Sequence, residues 1–236
     1  MCVDTQPTQA GYKQQAAETA VELIAAGMVV GLGVGSTAIF AVRRIAELVR
    51  EGQLTNILAV PCSHQVEHEA RRLGIPLTSL EKHPVIDVTI DGADEVGPDL
   101  VLIKGGGGAL FREKIVAQAS QREVIVVDEA KISPVVGTRW ALPVEVHPFG
   151  WRTQQRFISE LGATVRLRIR NDGSPLLTDQ GNMILDCAFG PIYDPETLAI
   201  RLGSRAGIIA HGLFIDLATD LIVAGAAGVR HQRKSG

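Results

Sequence analysis

The sequence predicts an α/β fold: a doubly wound, mainly parallel sheet with an inserted smaller α+β domain of ferredoxin-like βαββαβ order. Three observations predict it. Short apolar, β-branched runs such as VIDVTI at 85–90 and VIVVD at 124–128 alternate with segments of helical period, as parallel strands covered on both faces do. Glycine-rich loops follow several of these runs, at the strand ends where open α/β sheets collect ligands. After Gly137 the alternation changes to strand, helix, strand, strand, helix, strand. Residues 1–137 with 211–236 are accordingly expected to form the main domain and 138–210 the small one.

Along the chain, Ala17, Ala20, Val21 and Ile24 repeat at helical spacing within 9–26, and Gly27 supplies a stop. Residues 28–31 read as a short strand. GLGVGST then leads into a helix whose inner face is Ala38, Val42, Ile45 and Val49, closed by Gly52. A strand at 57–60 precedes Ser63, which caps a helix ending at Leu73 before Gly74. Two further strands of the same sheet follow, 85–90 running into Asp91 and 100–103 running into Lys104. A helix at 109–119 and a strand at 124–128 lead to the loop bearing Lys131. The small domain takes strands at 143–147, 164–170, 183–187 and 207–214, helices at 151–161 and 196–202, and a turn at Asn171-Asp172-Gly173. Its last strand continues into 221–224, which is expected to return to the main sheet.

Composition narrows the function. An apolar content of 46% over 236 residues is ample for a core, and a formal charge of −3 gives no reason to expect nucleic acid. The one basic cluster, 230–234, reads as a solvated C-terminal tail. Cys2, Cys62 and Cys187 form no CxxC pair and suit a reducing compartment. The N-terminal MCVDTQPTQ lacks a basic-then-apolar signal, and the apolar run at 221–229 is too short and too rich in Gly and Ala to cross a bilayer. A soluble, cytoplasmic protein is expected.

The chemistry concentrates in residues 91–114, DGADEVGPDLVLIKGGGGALFREK. Asp91 and Asp94 stand after one apolar run, and Lys104 with Gly105 to Gly108 after another. Glycines let backbone N–H groups approach an anionic ligand, and the following helix adds its positive end. Glu113 lies in the first turns of that helix, a candidate base beside a lysine and two aspartates. GLGVGST resembles a dinucleotide fingerprint, but Ser36 replaces the third glycine and Pro61-Cys62-Ser63 follows the next strand instead of an acid. Its N–H groups and the Ser36 and Thr37 hydroxyls suit a phosphate, a tight structural turn being the alternative. KGGGGALFREK is no Walker loop, because its lysine precedes the glycines. His64-Gln65-Val66-Glu67-His68 matches HxxEH, but no third ligand is signalled, so it reads as a polar helix face with no metal.

Taken together, GLGVGSTA, DGADEV, KGGGGAL followed by REK, and LPVEV resemble the type A ribose-5-phosphate isomerase family, in that order and over nearly the whole chain. The resemblance implies a Rossmann-like sheet with a small α+β domain. It implies interconversion of D-ribose 5-phosphate and D-ribulose 5-phosphate through an enediolate, without metal or cofactor. Glu113 matches the family's base, Asp91 and Asp94 its acids, and Lys104 with Gly105, Gly106 and Gly107 the groups that stabilise the oxyanion. Val34, Gly35, Ser36, Thr37, Gly92, Ala93, Lys13 and Lys131 match substrate-holding positions, mainly around the phosphate. The pattern departs at Val34 and Phe111, where hydroxyl residues are common, so Val34 is left with its backbone for the sugar. A homodimer or a pair of dimers is implied too. Two rivals stay open: a related sugar-phosphate deaminase or lactonase, expected to use a histidine that neither site loop contains, and a non-catalytic sugar-phosphate sensor, expected to carry a DNA-binding domain.

Overall fold

The computed structural model describes residues 8–234. In chain order the elements are α1 (Gln9–Val21), β1 (Val29–Leu32), α2 (Ala38–Arg50), β2 (Leu58–Pro61), α3 (His64–Arg72), β3 (Val88–Asp91), β4 (Glu95–Val96), β5 (Leu102–Ile103), α4 (Leu110–Ala119), β6 (Glu123–Asp128), β7 (Leu142–Val146), α5 (Trp151–Glu160), β8 (Thr164–Leu167), β9 (Met183–Ala188), α6 (Pro195–Gly203), β10 (Ile208–His211), β11 (Leu213–Phe214), β12 (Asp220–Gly225) and β13 (Gly228–Arg233). Helix starts carry their caps: Thr8 accepts from Gly11 N–H, Ser63 from Val66 N–H, and Asp194 from Thr197 N–H with Pro195 behind it. α1 stops short of the predicted 26 because Leu23 and Ile24 donate to the carbonyls of Ala20 and Val21, a tighter winding that ends the helix. Cys2, grouped above with the cysteines that suit a reducing compartment, lies outside the described residues.

The chain forms two compact units. The first comprises the described residues up to Gly92, Val116–Lys131, and those from Ala218 onward. Its six-stranded sheet has the order β13-β12-β6-β3-β1-β2, parallel from β12 to β2. This is the doubly wound sheet the alternation predicts. Its core joins Ala16, Ala17 and Ala20 of α1 with Val42 and Ile45 of α2 and the strand residues Val30, Leu32, Ile90, Val124 and Ile222. The alanines let α1 lie close to the strands. Residues 221–224 do return to this sheet, as β12.

The basic C-terminal cluster is not a tail. Arg230 to Arg233 belong to β13, which pairs antiparallel with β12 from Asp220↔Arg233 to Gly225↔Gly228. Every β13 residue is exposed, so composition alone reads as solvated, while the backbone completes the ladder.

The second unit comprises 93–115 and 132–217. It holds an antiparallel sheet of order β10-β7-β9-β8, the split βαββαβ arrangement, with Ile158 of α5 and Leu202 of α6 packed on Val144, Val146, Leu185 and Cys187. A second, three-stranded antiparallel sheet, β11-β5-β4, corrects the expectation for 100–103. That run does not join the main sheet. Asp99 and Leu100 have φ of 54° and 58°, which breaks extension and leaves only Leu102 and Ile103 to pair. The predicted strand 207–214 is likewise divided at Gly212, where a Cβ would strike the Lys104 carbonyl.

Candidate active site

In the first unit, β1 lies between β2 and β3, so the chain leaves β1 toward β2 and later returns to its other side as β3. Such reversals open a crevice at the carboxyl ends of the strands. Three loops occupy that edge: 33–37 after β1, Asp91 with Gly92 at the end of β3, and the turn Glu129–Lys131 after β6. Asp91 is fully buried, and its Oδ1 accepts the N–H groups of Val34 at 2.9 Å and Gly92 at 2.7 Å. Gly33 makes this possible, since a Cβ there would overlap the Asp91 carboxylate. The N–H of Val34, which the sequence reserves for the sugar, is thus engaged by Asp91.

Lys13 Nζ donates to Ser36 Oγ at 3.0 Å, bringing together two predicted substrate residues that are 23 positions apart. Gly35 takes φ +118°, which favours glycine. Thr37 is buried at the N-cap of α2 and makes no side-chain cap, while the N–H groups of Ile39 and Phe40 donate to the carbonyls of Gly35 and Thr37, each at 3.1 Å. Lys131 closes the turn after β6.

In the second unit, Lys104 and Glu113 form a buried ion pair, Nζ to Oε1 at 3.0 Å, with side chains only 1% and 4% exposed. Lys104 leaves β5 with its backbone N–H on Gly212 O at 2.9 Å and its ammonium 5.4 Å from the centre of the Phe214 ring. Asp94 accepts the Gly106 N–H on Oδ2 at 2.6 Å. Gly105, with φ +104°, starts the glycine turn, and Gly107 is exposed. Ala93 is the residue that leads from Gly92 to Asp94.

Lys114, next to the candidate base, supports this arrangement. Its Nζ donates to the carbonyls of His211 at 2.6 Å and Leu213 at 2.8 Å and lies 4.9 Å from the Phe214 ring centre. Burial lowers its pKa to about 8. Burial, and then the Lys114 charge, push His211 down to about 3, so this imidazole is neutral at pH 7.

Three residues with clear work had no role assigned from sequence. Glu95, inside DGADE, is fully buried and accepts the N–H groups of Gly137 at 2.9 Å, Arg139 at 3.2 Å and Trp140 at 3.1 Å, tying down the loop before β7. Phe214 underlies two ammonium groups. Arg168 reaches the glycine loop from just after β8; the alternation of arginine with apolar residues in RLRIR was its one available signal. His64 and His68 lie on α3, where Glu67 pairs with Arg71 at 2.7 Å, and among the described residues no metal-holding cluster forms.

The sequence profile of the family described as Ribose 5-phosphate isomerase A (phosphoriboisomerase A) matches residues 58–228. A protein of Chloroflexus aurantiacus named ribose-5-phosphate isomerase A is 58% identical over 93% of this chain and 92% of its own. One of the same name from Desulfatibacillum aliphaticivorans is 54% identical over 96% of this chain and 98% of its own. A solved D-ribose-5-phosphate isomerase in complex with phospho-erythronic acid superposes with a TM-score of 0.94 at 36% identity, over 96% of this chain and 100% of that one. Matched by the family profile over most of its length and more than half identical to these relatives, the chain belongs to the ribose 5-phosphate isomerase A family.

Proposed function

We propose that this protein interconverts D-ribose 5-phosphate and D-ribulose 5-phosphate as the open-chain sugars, with Glu113 as the base. The observation that carries this reading is the buried Lys104–Glu113 pair at the foot of the glycine loop. A carboxylate placed there takes the C2 proton of the aldose, the C1–C2 double bond forms, and the carbonyl electrons move to O1. Returning the proton to C1 while the O2 proton passes to O1 gives the ketose, and atoms balance without metal or cofactor. The barrier lies in the charge on the enediolate oxygen, where one fixed donor contributes about 2.7 to 4 kcal/mol. Lys104 and the amides of Gly105 and Gly107 are the donors, while the Gly106 amide holds Asp94 in place. Asp94 and Asp91 serve ring opening and the transfer between O1 and O2. Lys13, Gly35 to Thr37 and Lys131 hold the phosphate, supported by the Lys13–Ser36 contact and by a helix start without a side-chain cap.

The test is turnover of ribose 5-phosphate by the purified protein with EDTA present, beside its Glu113→Gln variant. Wild-type turnover is expected to survive chelation, and the variant to lose about 10² to 10⁴ in kcat while still binding the sugar phosphate. Unchanged turnover in Glu113→Gln removes the base; a wild type that binds but does not turn over is the sensor. The same reading extends to a homodimer or pair of dimers in the cytoplasm, supported by Phe149, Tyr193 and Ile200 at 88%, 83% and 70% exposure and by Cys62 and Cys187, both buried and neither in a disulfide. Light scattering of the purified protein checks the assembly.

A further inference from the structure

Arg168 is 14% exposed and spends its guanidinium in two directions. Nε and Nη2 grip both oxygens of Asp186 on β9, the Nε contact at 3.0 Å. Nη1 donates to two consecutive carbonyls of the glycine loop, Gly105 O at 2.9 Å and Gly106 O at 3.1 Å. Its own backbone is pinned, N–H to Ile184 O at 2.8 Å and C=O accepting from Leu176 N–H at 3.0 Å. A planar fork held by a bidentate carboxylate is a rigid reference for whatever else it touches.

What it touches decides where the loop's N–H groups point. In a trans peptide the C=O and the following N–H are antiparallel. Holding the Gly105 carbonyl therefore turns the Gly106 N–H the opposite way, onto Asp94 Oδ2 at 2.6 Å. Holding the Gly106 carbonyl likewise turns out the N–H of Gly107, the exposed residue of the loop. Glycines have no side chain to resist a peptide flip; the turn itself holds the Gly105 carbonyl through the Gly108 N–H at 3.0 Å, and Arg168 adds a second hold on that carbonyl and one on the Gly106 carbonyl.

We infer that Arg168, braced by Asp186, is a positioning residue: it fixes the Gly105–Gly106 and Gly106–Gly107 peptide planes so that the first orients Asp94 and the second presents a donor to the developing enediolate oxygen. The inference rests on the function proposed above. Arg168 and Asp186 also line an open cavity of about 720 Å³ with Gly106, Trp140 and Arg166, so a small cation has access to the place of the guanidinium.

The experiment compares wild type, Arg168→Ala, Asp186→Asn, the double variant carrying both of these changes, and Glu113→Gln in turnover, thermal unfolding and binding of phospho-erythronic acid, whose trigonal carboxylate resembles the planar enediolate. Arg168→Ala is expected to lose about 10²-fold in kcat with KM nearly unchanged, and to bind the acid more weakly by a similar factor. Millimolar guanidinium is expected to restore part of the lost kcat. Asp186→Asn, which keeps Arg168 but loosens its brace, is expected to lose about tenfold in kcat and to add little further loss in the double variant. Should Arg168→Ala not fold, Asp186→Asn decides alone. Wild-type kcat in either variant overturns the inference, as does a loss in Arg168→Ala that follows its unfolding temperature and ignores guanidinium. Glu113→Gln keeps the two readings apart: if it is inactive the base stands whatever Arg168 does, and if it is active the proposed function falls by itself.

Discussion

Gly33 and Gly106 each stand where a Cβ would strike a carboxylate, that of Asp91 and that of Asp94. The sequence predicts these glycines as places where backbone comes close to a ligand. The structure adds that they also let an aspartate close on the backbone. Gly106→Ala is therefore expected to push Asp94 aside, lowering kcat by about 10²-fold and stability by about 1–3 kcal/mol. Turnover and chemical unfolding check it, and wild-type turnover would detach the Asp94–Gly106 contact from catalysis. Lys131→Ala acts on binding instead: KM rises with kcat little changed, and an unaltered KM would separate Lys131 from the phosphate. The motif residues at this scale were legible because they cluster within 91–114. Arg168 was not, because it meets Gly106 across 62 positions and a strand arginine usually signals only a wet face.

At the scale of elements, strands and helices of ordinary length were legible from periodicity, and α3 began at its predicted cap. The failures share a cause. β5 and β11 have two residues each, too few for a pattern, and their pairing depends on partners remote in sequence. β13 carries no apolar alternation at all. Its attachment rests partly on Asp220, fully buried at the start of β12, whose carboxylate accepts from Arg122 at 2.7 Å, His231 at 2.7 Å and Thr219 at 2.8 Å. Burial alone would raise the pKa of Asp220, but these bonds outweigh it and hold the group well below the usual carboxylate range. Because the folded value is depressed, the stabilisation is complete above the unfolded value near about 3.9 and is lost as pH falls from there toward the folded one. Asp220→Asn is expected to cost about 2 kcal/mol at pH 7, with the gap to wild type shrinking below about pH 4. Urea titrations at several pH values test this, and a constant gap would contradict it.

Across the whole molecule the chain passes between its two compact units at 92/93, 115/116, 131/132 and 217/218, and α4 contains residues of both. Neither unit is a single stretch that folds before the other is synthesised. The chain's two tryptophans, Trp140 and Trp151, both belong to the second unit, so their fluorescence reports that unit while far-UV circular dichroism reports all helices and strands. The two unfolding curves are expected to coincide, as one cooperative transition requires. Fluorescence changing first would mean that the second unit melts by itself.

The exposed ribbon β13 has a consequence for how copies of this protein meet at high concentration. The outermost strand of an open sheet offers its unused backbone groups to any other strand that drifts past, and such encounters grow into aggregates. Here that strand reads GVRHQR, with Arg230 and Arg233 along an exposed edge. Two like-charged rims repel before their backbones align, and the repulsion fades as salt is added. Replacing both arginines with serine is expected to leave turnover intact and to make concentrated solutions turbid, an effect that scattering intensity against protein concentration would register.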